Sequence, residues 1–167
     1  MKLKKCLSFI NTKTNGKMTV LRALLVLIVM LLTSATAWAD ITTGTFADLA
    51  QEINIALSTG NYVQLTKDVY TYAGSGSVID ISKSCTIDGN SATIDMTGSD
   101  ISVFKISAGI TIKNLTIKNA SNTAIVVDGN NCTVENCTFI DNNATNSSVI
   151  YVNGTDCTIT SATARPS

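Results

Sequence analysis

Histidine is missing from this chain altogether. Its absence excludes a histidine general base, the Ser-His-Asp and Cys-His nucleophile arrangements, and histidine-liganded zinc. Basic charge is scarce where it would matter. All 12 acidic residues lie beyond residue 39, against only Lys67, Lys83, Lys105, Lys113, Lys118 and Arg165, so residues 40–167 carry 6 − 12 = −6. That balance speaks against a phosphate-backbone partner, which calls for clustered Lys and Arg, and no nucleic-acid binding is expected. No C-x-x-C pair occurs, which leaves thiol redox and cysteine-metal chemistry without their usual spacing.

What is present is a repeat. Cys85-Thr86-Ile87, Ile110-Thr111-Ile112, Cys132-Thr133-Val134 and Cys157-Thr158-Ile159 follow one another at a near-constant interval. Two further series run beside it. Ala92/Ile94, Leu115/Ile117 and Cys137/Phe139 form one; Ile79/Ile81, Phe104/Ile106, Ile125/Val127 and Ile150/Val152 form the other. Each couple is spaced i, i+2, so both side chains point to one side of a strand. Three short strands per period of this length describe one coil of a solenoid, in which each repeat buries its apolar face only against its neighbours. The expected fold is all-β: a right-handed, single-stranded parallel β-helix of about four coils. Val63/Leu65 belongs to an earlier, less regular turn.

Four segments divide the chain. Residues 1–39 combine a basic start (Lys2, Lys4, Lys5, Lys13, Lys17, Arg22), the apolar run Ala23 to Leu32 and an Ala37-Trp38-Ala39 ending. This reads as a signal peptide; an uncleaved signal anchor is the alternative, although the apolar run is short for a ~30 Å hydrocarbon core. Residues 40–60 hold a capping helix. Thr45 is its N-cap with Asp48 three residues on, and Phe46, Leu49, Ile53 and Leu57 share one face. Its expected role is to cover the open first rung and blunt self-association, a surface helix without a capping role being the alternative. Residues 61–160 form the coils, and 161–167 a frayed or truncated tail.

Turn chemistry follows the same period. Asn114 and Asn136 stand one repeat apart, as do Asn119 and Asp141. Asn tolerates left-handed backbone, so these residues either simply mark turns or also stack as an amide ladder inside a bend. Tyr70 to Ser77, Thr97 to Ser102 and Asp141 to Ser148 read as loops. Outer strand faces beside such loops are where a ligand would bind.

The remaining candidates are weaker. Cys85, Cys132, Cys137 and Cys157 read as a buried free-thiol ladder, with a Cys132–Cys157 disulfide as the alternative. Asp80, Asp88, Asp95, Asp100, Asp128, Asp141 and Asp156 read as solvated turn residues, although several converging could hold Ca²⁺. Seven N-x-S/T sequons start at Asn114, Asn119, Asn131, Asn136, Asn143, Asn146 and Asn153. Glycan could sit at Asn143 and Asn146 in the projected loop, and not at Asn114 or Asn136 if these form a ladder. No catalytic, cofactor or metal residues are assigned.

The segments Ile79-Asp80-Ile81-Ser82-Lys83-Ser84-Cys85-Thr86-Ile87-Asp88-Gly89-Asn90, Ile110 to Asn119 and Asn131 to Asn142 resemble coils of large adhesin-like surface proteins from methanogenic archaea. Phe46 to Tyr70 resembles their N-terminal cap, and Phe139-Ile140-Asp141-Asn142 is similar to the F-x-x-N repeat of bacterial polymorphic outer-membrane proteins. The resemblance covers about residues 41–160 and implies a pectate-lyase-type β-helix. It also implies a secreted or cell-surface, non-enzymatic role with a polysaccharide or cell-envelope partner, carried out by a protein of which this chain is a fragment. The alternative is a polysaccharide lyase or glycoside hydrolase on the same fold, with Lys105, Lys113 and Lys118 as possible bases. A third reading is a structural envelope component without a specific ligand.

Overall fold

The computed structural model describes residues 40–144 and 148–166. The expected signal peptide and the sequon at Asn146 fall outside the described residues. The first elements are β1 (Thr43–Thr45), α1 (Phe46–Thr59), β2 (Tyr62–Gln64), β3 (Val69–Thr71) and β4 (Ile79–Ile81). Next come β5 (Thr86–Asp88), β6 (Thr93–Asp95), β7 (Phe104–Ile106), β8 (Thr111–Lys113), β9 (Thr116–Lys118) and β10 (Ile125–Val127). The series ends with β11 (Thr133–Glu135), β12 (Thr138–Ile140), β13 (Ile150–Val152), β14 (Thr158–Thr160) and β15 (Thr163–Arg165).

These strands stack into three parallel sheets. Sheet I is β2-β5-β8-β11-β14, sheet II is β1-β3-β6-β9-β12-β15, and sheet III is β4-β7-β10-β13. From β2 onward the chain visits sheets I, II and III in strict rotation. That is a parallel β-helix. Its register matches the spacing of the sequence: Ile87 lies opposite Ile112, Ile112 opposite Val134, and Val134 opposite Ile159. The inward column is apolar, with Ile87, Ile94, Phe104, Ile106, Ile112 and Ile117 fully buried. Backbone donors and acceptors are consumed between coils, so no rung is complete without a neighbour.

Helix α1 forms as its sequence dictates. The Thr45 hydroxyl accepts from the Asp48 amide at 3.1 Å while Asp48 Oδ2 accepts from the Thr45 amide at 2.7 Å. This capping box satisfies two otherwise orphaned donors. Phe46, Leu49 and Ile53 are buried against the first rung, with Leu57 packed at its edge. The helix runs to Thr59 with Gly60 as C-cap, beyond the last apolar position. Two side chains pin it. Glu52 accepts from the Thr66 amide at 2.8 Å and from the Tyr70 hydroxyl. Lys83 Nζ donates to the Leu57 and Gly60 carbonyls at 2.7 and 2.6 Å, holding the helix C-terminus.

Two segments depart from expectation. Tyr70, expected to open a loop, sits in the middle of β3 and is fully buried. Its ring fills the column beneath the helix while Glu52 satisfies its hydroxyl. Burial, reinforced by that bond, pushes its pKa up to about 12. The register also continues past Ile159. Residues Thr163–Arg165, read as part of a tail, form β15 in register with β12.

Candidate functional site

The column presents three outer faces and the corners between them. At the corner joining sheets I and II left-handed residues turn the chain, Asn90 and Ser91 on one coil (φ 50° and 69°), then Asn114 with φ 56° and Asn136 with φ 50° on the next two. The ladder forms. Asn136 Nδ2 donates to Asn114 Oδ1 at 2.7 Å, and Asn114 Nδ2 donates to Asp88 Oδ1 at 3.0 Å. It lies at the surface of the bend, with Asn136 exposed. Asn119 (φ 59°) and Asp141 (φ 51°) make the equivalent turn after sheet II. The Asn119 amide donates to Asp95 Oδ1 and Thr97 Oγ1 at 2.9 and 3.0 Å.

The charged residues fall into rings. On one coil Asp80, Asp88 and Asp95 face away from the apolar column on the three sheets, and the next coil places Lys105, Lys113 and Lys118 directly against them. Lys113 reaches Asp88 at 3.5 Å and Lys118 reaches Asp95 at 2.9 Å, whereas Lys105 turns upward to Asp128 at 3.2 Å. Burial works to raise the Asp95 pKa. Hydrogen bonds from Thr97 and Asn119 and the Lys118 ammonium outweigh it and hold the carboxyl well below the usual range. Asp88 is lowered in the same way, with Asn114, the Asn90 amide and Tyr62 overcoming its burial. Asp88, Asp95, Lys113 and Lys118 are thus engaged with one another across neighbouring coils. The signal was available in the sequence, since Asp80, Asp88 and Asp95 each precede their lysine by about one repeat period.

Other candidates resolve plainly. Among the described residues Cys85, Cys132, Cys137 and Cys157 are free thiols, the first three buried and the last partly so. Burial raises the Cys85 pKa and pushes Cys137 to about 11, well above the reactive range. The seven aspartates do not converge, and among the described residues no three acidic or thiol groups gather to hold a metal ion.

Sheet III is different. Its outward column is Asp80, Lys105, Val126 and Tyr151, one from each successive strand. The connections entering this sheet from sheet II stack alongside it. Gly76 to Val78, Asp100 to Ser102 and Asn122 form one wall of a groove of about 420 Å³ floored by Lys105 and Val126. Asn122 Nδ2 donates to the Asp100 carbonyl at 3.0 Å, tying two loops of that wall together. Tyr151, 47% exposed, continues the floor one rung beyond Val126. A loop-walled strand face was the expected place for a ligand, and this is the face so built. Comparison with family models, with curated proteins and with solved structures finds no match to this chain.

Proposed function

We propose that this protein is exported and acts outside the cell or on its surface as a non-enzymatic, adhesin-like β-helix. In this reading it binds a polysaccharide or cell-envelope glycan along sheet III. The observation that carries the reading is the groove: a floor of Lys105 and Val126, an exposed tyrosine in line with it, and a wall of stacked loops. Such concave, mostly apolar surfaces with a few polar groups suit extended ligands. Support for export comes from the basic-apolar-Ala37-Trp38-Ala39 pattern of residues 1–39. Likeness of the coils to archaeal adhesin-like proteins supports the surface role. The engaged state of Asp88, Asp95, Lys113 and Lys118 favours binding over turnover.

The test is a glycan array probed with protein collected from the export compartment of a secreting host. Retention on at least one polysaccharide, lost when Val126 and Tyr151 are replaced by Asp, is the expected result. Product formation, seen as new reducing ends or ultraviolet-absorbing unsaturated sugars, would replace this reading with a hydrolase or lyase. Intact mass beginning at Asp40 would establish cleavage after Ala39.

A further inference from the structure

The sheet III groove has a sign. Three carboxylates lie on this face, Asp100 in the loop wall of the groove, Asp80 beside Lys105 in the outward column and Asp128 just past β10, against the single ammonium of Lys105. Lys105 is spent on Asp128 at 3.2 Å. The carboxylates of Asp80 and Asp100 differ from those of Asp88 and Asp95 in having no hydrogen bond or ion pair among the described residues, and both are exposed. Val78, Ile101 and Val126 give the groove an apolar bed, and Lys105, which stands between Asp80 and Val126 in the outward column, has its ammonium turned towards Asp128. The ring of Tyr151 stands in line with this bed. An exposed aromatic face attracts a cation through its quadrupole.

Resting on the glycan-binding reading above, we propose that the groove selects a cationic amino-sugar polymer over neutral glycans and polyuronates. A pyranose chain lays its apolar C–H faces on Val126 and Tyr151. Its free ammonium groups meet the unengaged carboxylates of Asp80 and Asp100. Polyuronates are rejected by the same two groups, since like charges brought together in a groove cost binding. Asp80 and Tyr151 are three rungs apart, on the order of 14 Å along the column, so the site spans several sugars rather than one.

The discriminating pair is a glucosamine oligosaccharide and its N-acetylated counterpart, which share a backbone and differ in charge. Calorimetric titration of the secreted full-length protein with both, and with an oligogalacturonate, reads the selectivity directly. The glucosamine oligomer should bind about tenfold more tightly than the acetylated one, the scale of two partly exposed charge pairs, and the oligogalacturonate should give no heat. Raising the salt concentration should shrink the preference. A D80N/D100N double variant should bring the two hexosamine oligomers to within about twofold while its thermal unfolding midpoint stays put. Y151A should weaken both. Equal or tighter binding of the acetylated or uronate oligomer overturns the charge selection and leaves the glycan reading standing. Selectivity that survives in D80N/D100N likewise overturns it. Absence of binding to every oligomer and to the glycan array removes both.

Discussion

The two ends of the column carry the same pattern and meet different fates. At the first rungs Val63 and Leu65 are buried to within 1% beneath α1, and β1 adds a further strand against β3. At the last described rung Ile159 is 45% exposed, although it repeats the Thr-Ile motif whose earlier copies, Ile87 and Ile112, are fully buried. Burial in this fold is therefore decided by the coil above and not by the residue. An apolar side chain on an inward position gains its transfer energy only when the next rung is laid down. A capped end and a bare end also differ in their backbone. On the helix side α1 packs on β1, β2 and β3, whereas among the described residues β13, β14 and β15 are each the last strand of their sheet.

The sharpest way to break that contrast is to remove equivalent bulk from each region. Phe104→Ala in the middle of the column should cost about 3–5 kcal/mol by cavity formation. Ile159→Ala should cost under about 1 kcal/mol, because little of that side chain is withdrawn from water. Urea unfolding of both variants measures the pair, and equal costs would refute a burial set by stacking. Next in size is the latch on the cap. Glu52→Ala strands the Thr66 amide and the buried Tyr70 hydroxyl and should cost about 1–3 kcal/mol, with hydrogen exchange rising first in α1. Arg165→Ala at the other end should stay within about 0.5 kcal/mol.

A smaller effect separates turn geometry from ladder bonding. Asn114→Gly keeps the left-handed backbone but cuts the amide ladder, so it should destabilise by about 1 kcal/mol. Ser161 makes the corresponding turn at the bare end, with φ 51°. Ser161→Gly should be neutral or stabilise by about 0.5 kcal/mol, since glycine accepts that conformation freely. Smallest and broadest is the pH response. Asp88 and Asp95 have lowered folded pKa values, so the stability they contribute is present above about pH 4 and is lost as pH falls further. Tyr70 is raised, so its contribution is intact below pH 10 and disappears as pH climbs towards about 12. Replacing Tyr70 with Phe should flatten only the alkaline limb of a stability–pH profile.

The fold was open to reading because a β-helix repeats its inward positions at one interval, and that interval survives variation from Cys to Ile to Phe. Tyr70 lies opposite Ile94 at the ordinary repeat interval. It escaped because Asp68 stands where the next coil has Ala92, breaking the apolar couple, and because tyrosine looks amphipathic until a carboxylate such as Glu52 is known to meet its hydroxyl. The asparagine ladder was half legible: the shared period of Asn114 and Asn136 predicts stacking, but only coordinates place the amides at the surface and join them to Asp88. The groove was legible as a kind of place, an outer face beside loops. Its identity with sheet III was not, because loops one period apart become a wall only once their stacking direction is known.

The paired rings of Asp80, Asp88, Asp95 and Lys105, Lys113, Lys118 bear on how such a chain can change length over time. Duplicating or deleting a whole coil beyond Asp128 leaves the three ion pairs undisturbed. An extra coil inserted between Asp95 and Phe104 would pull Asp88 and Asp95 away from Lys113 and Lys118 at once. Growth of the column is thus freer beyond Asp128 than between the two charged coils, and the boundary between the two regimes is drawn by charge.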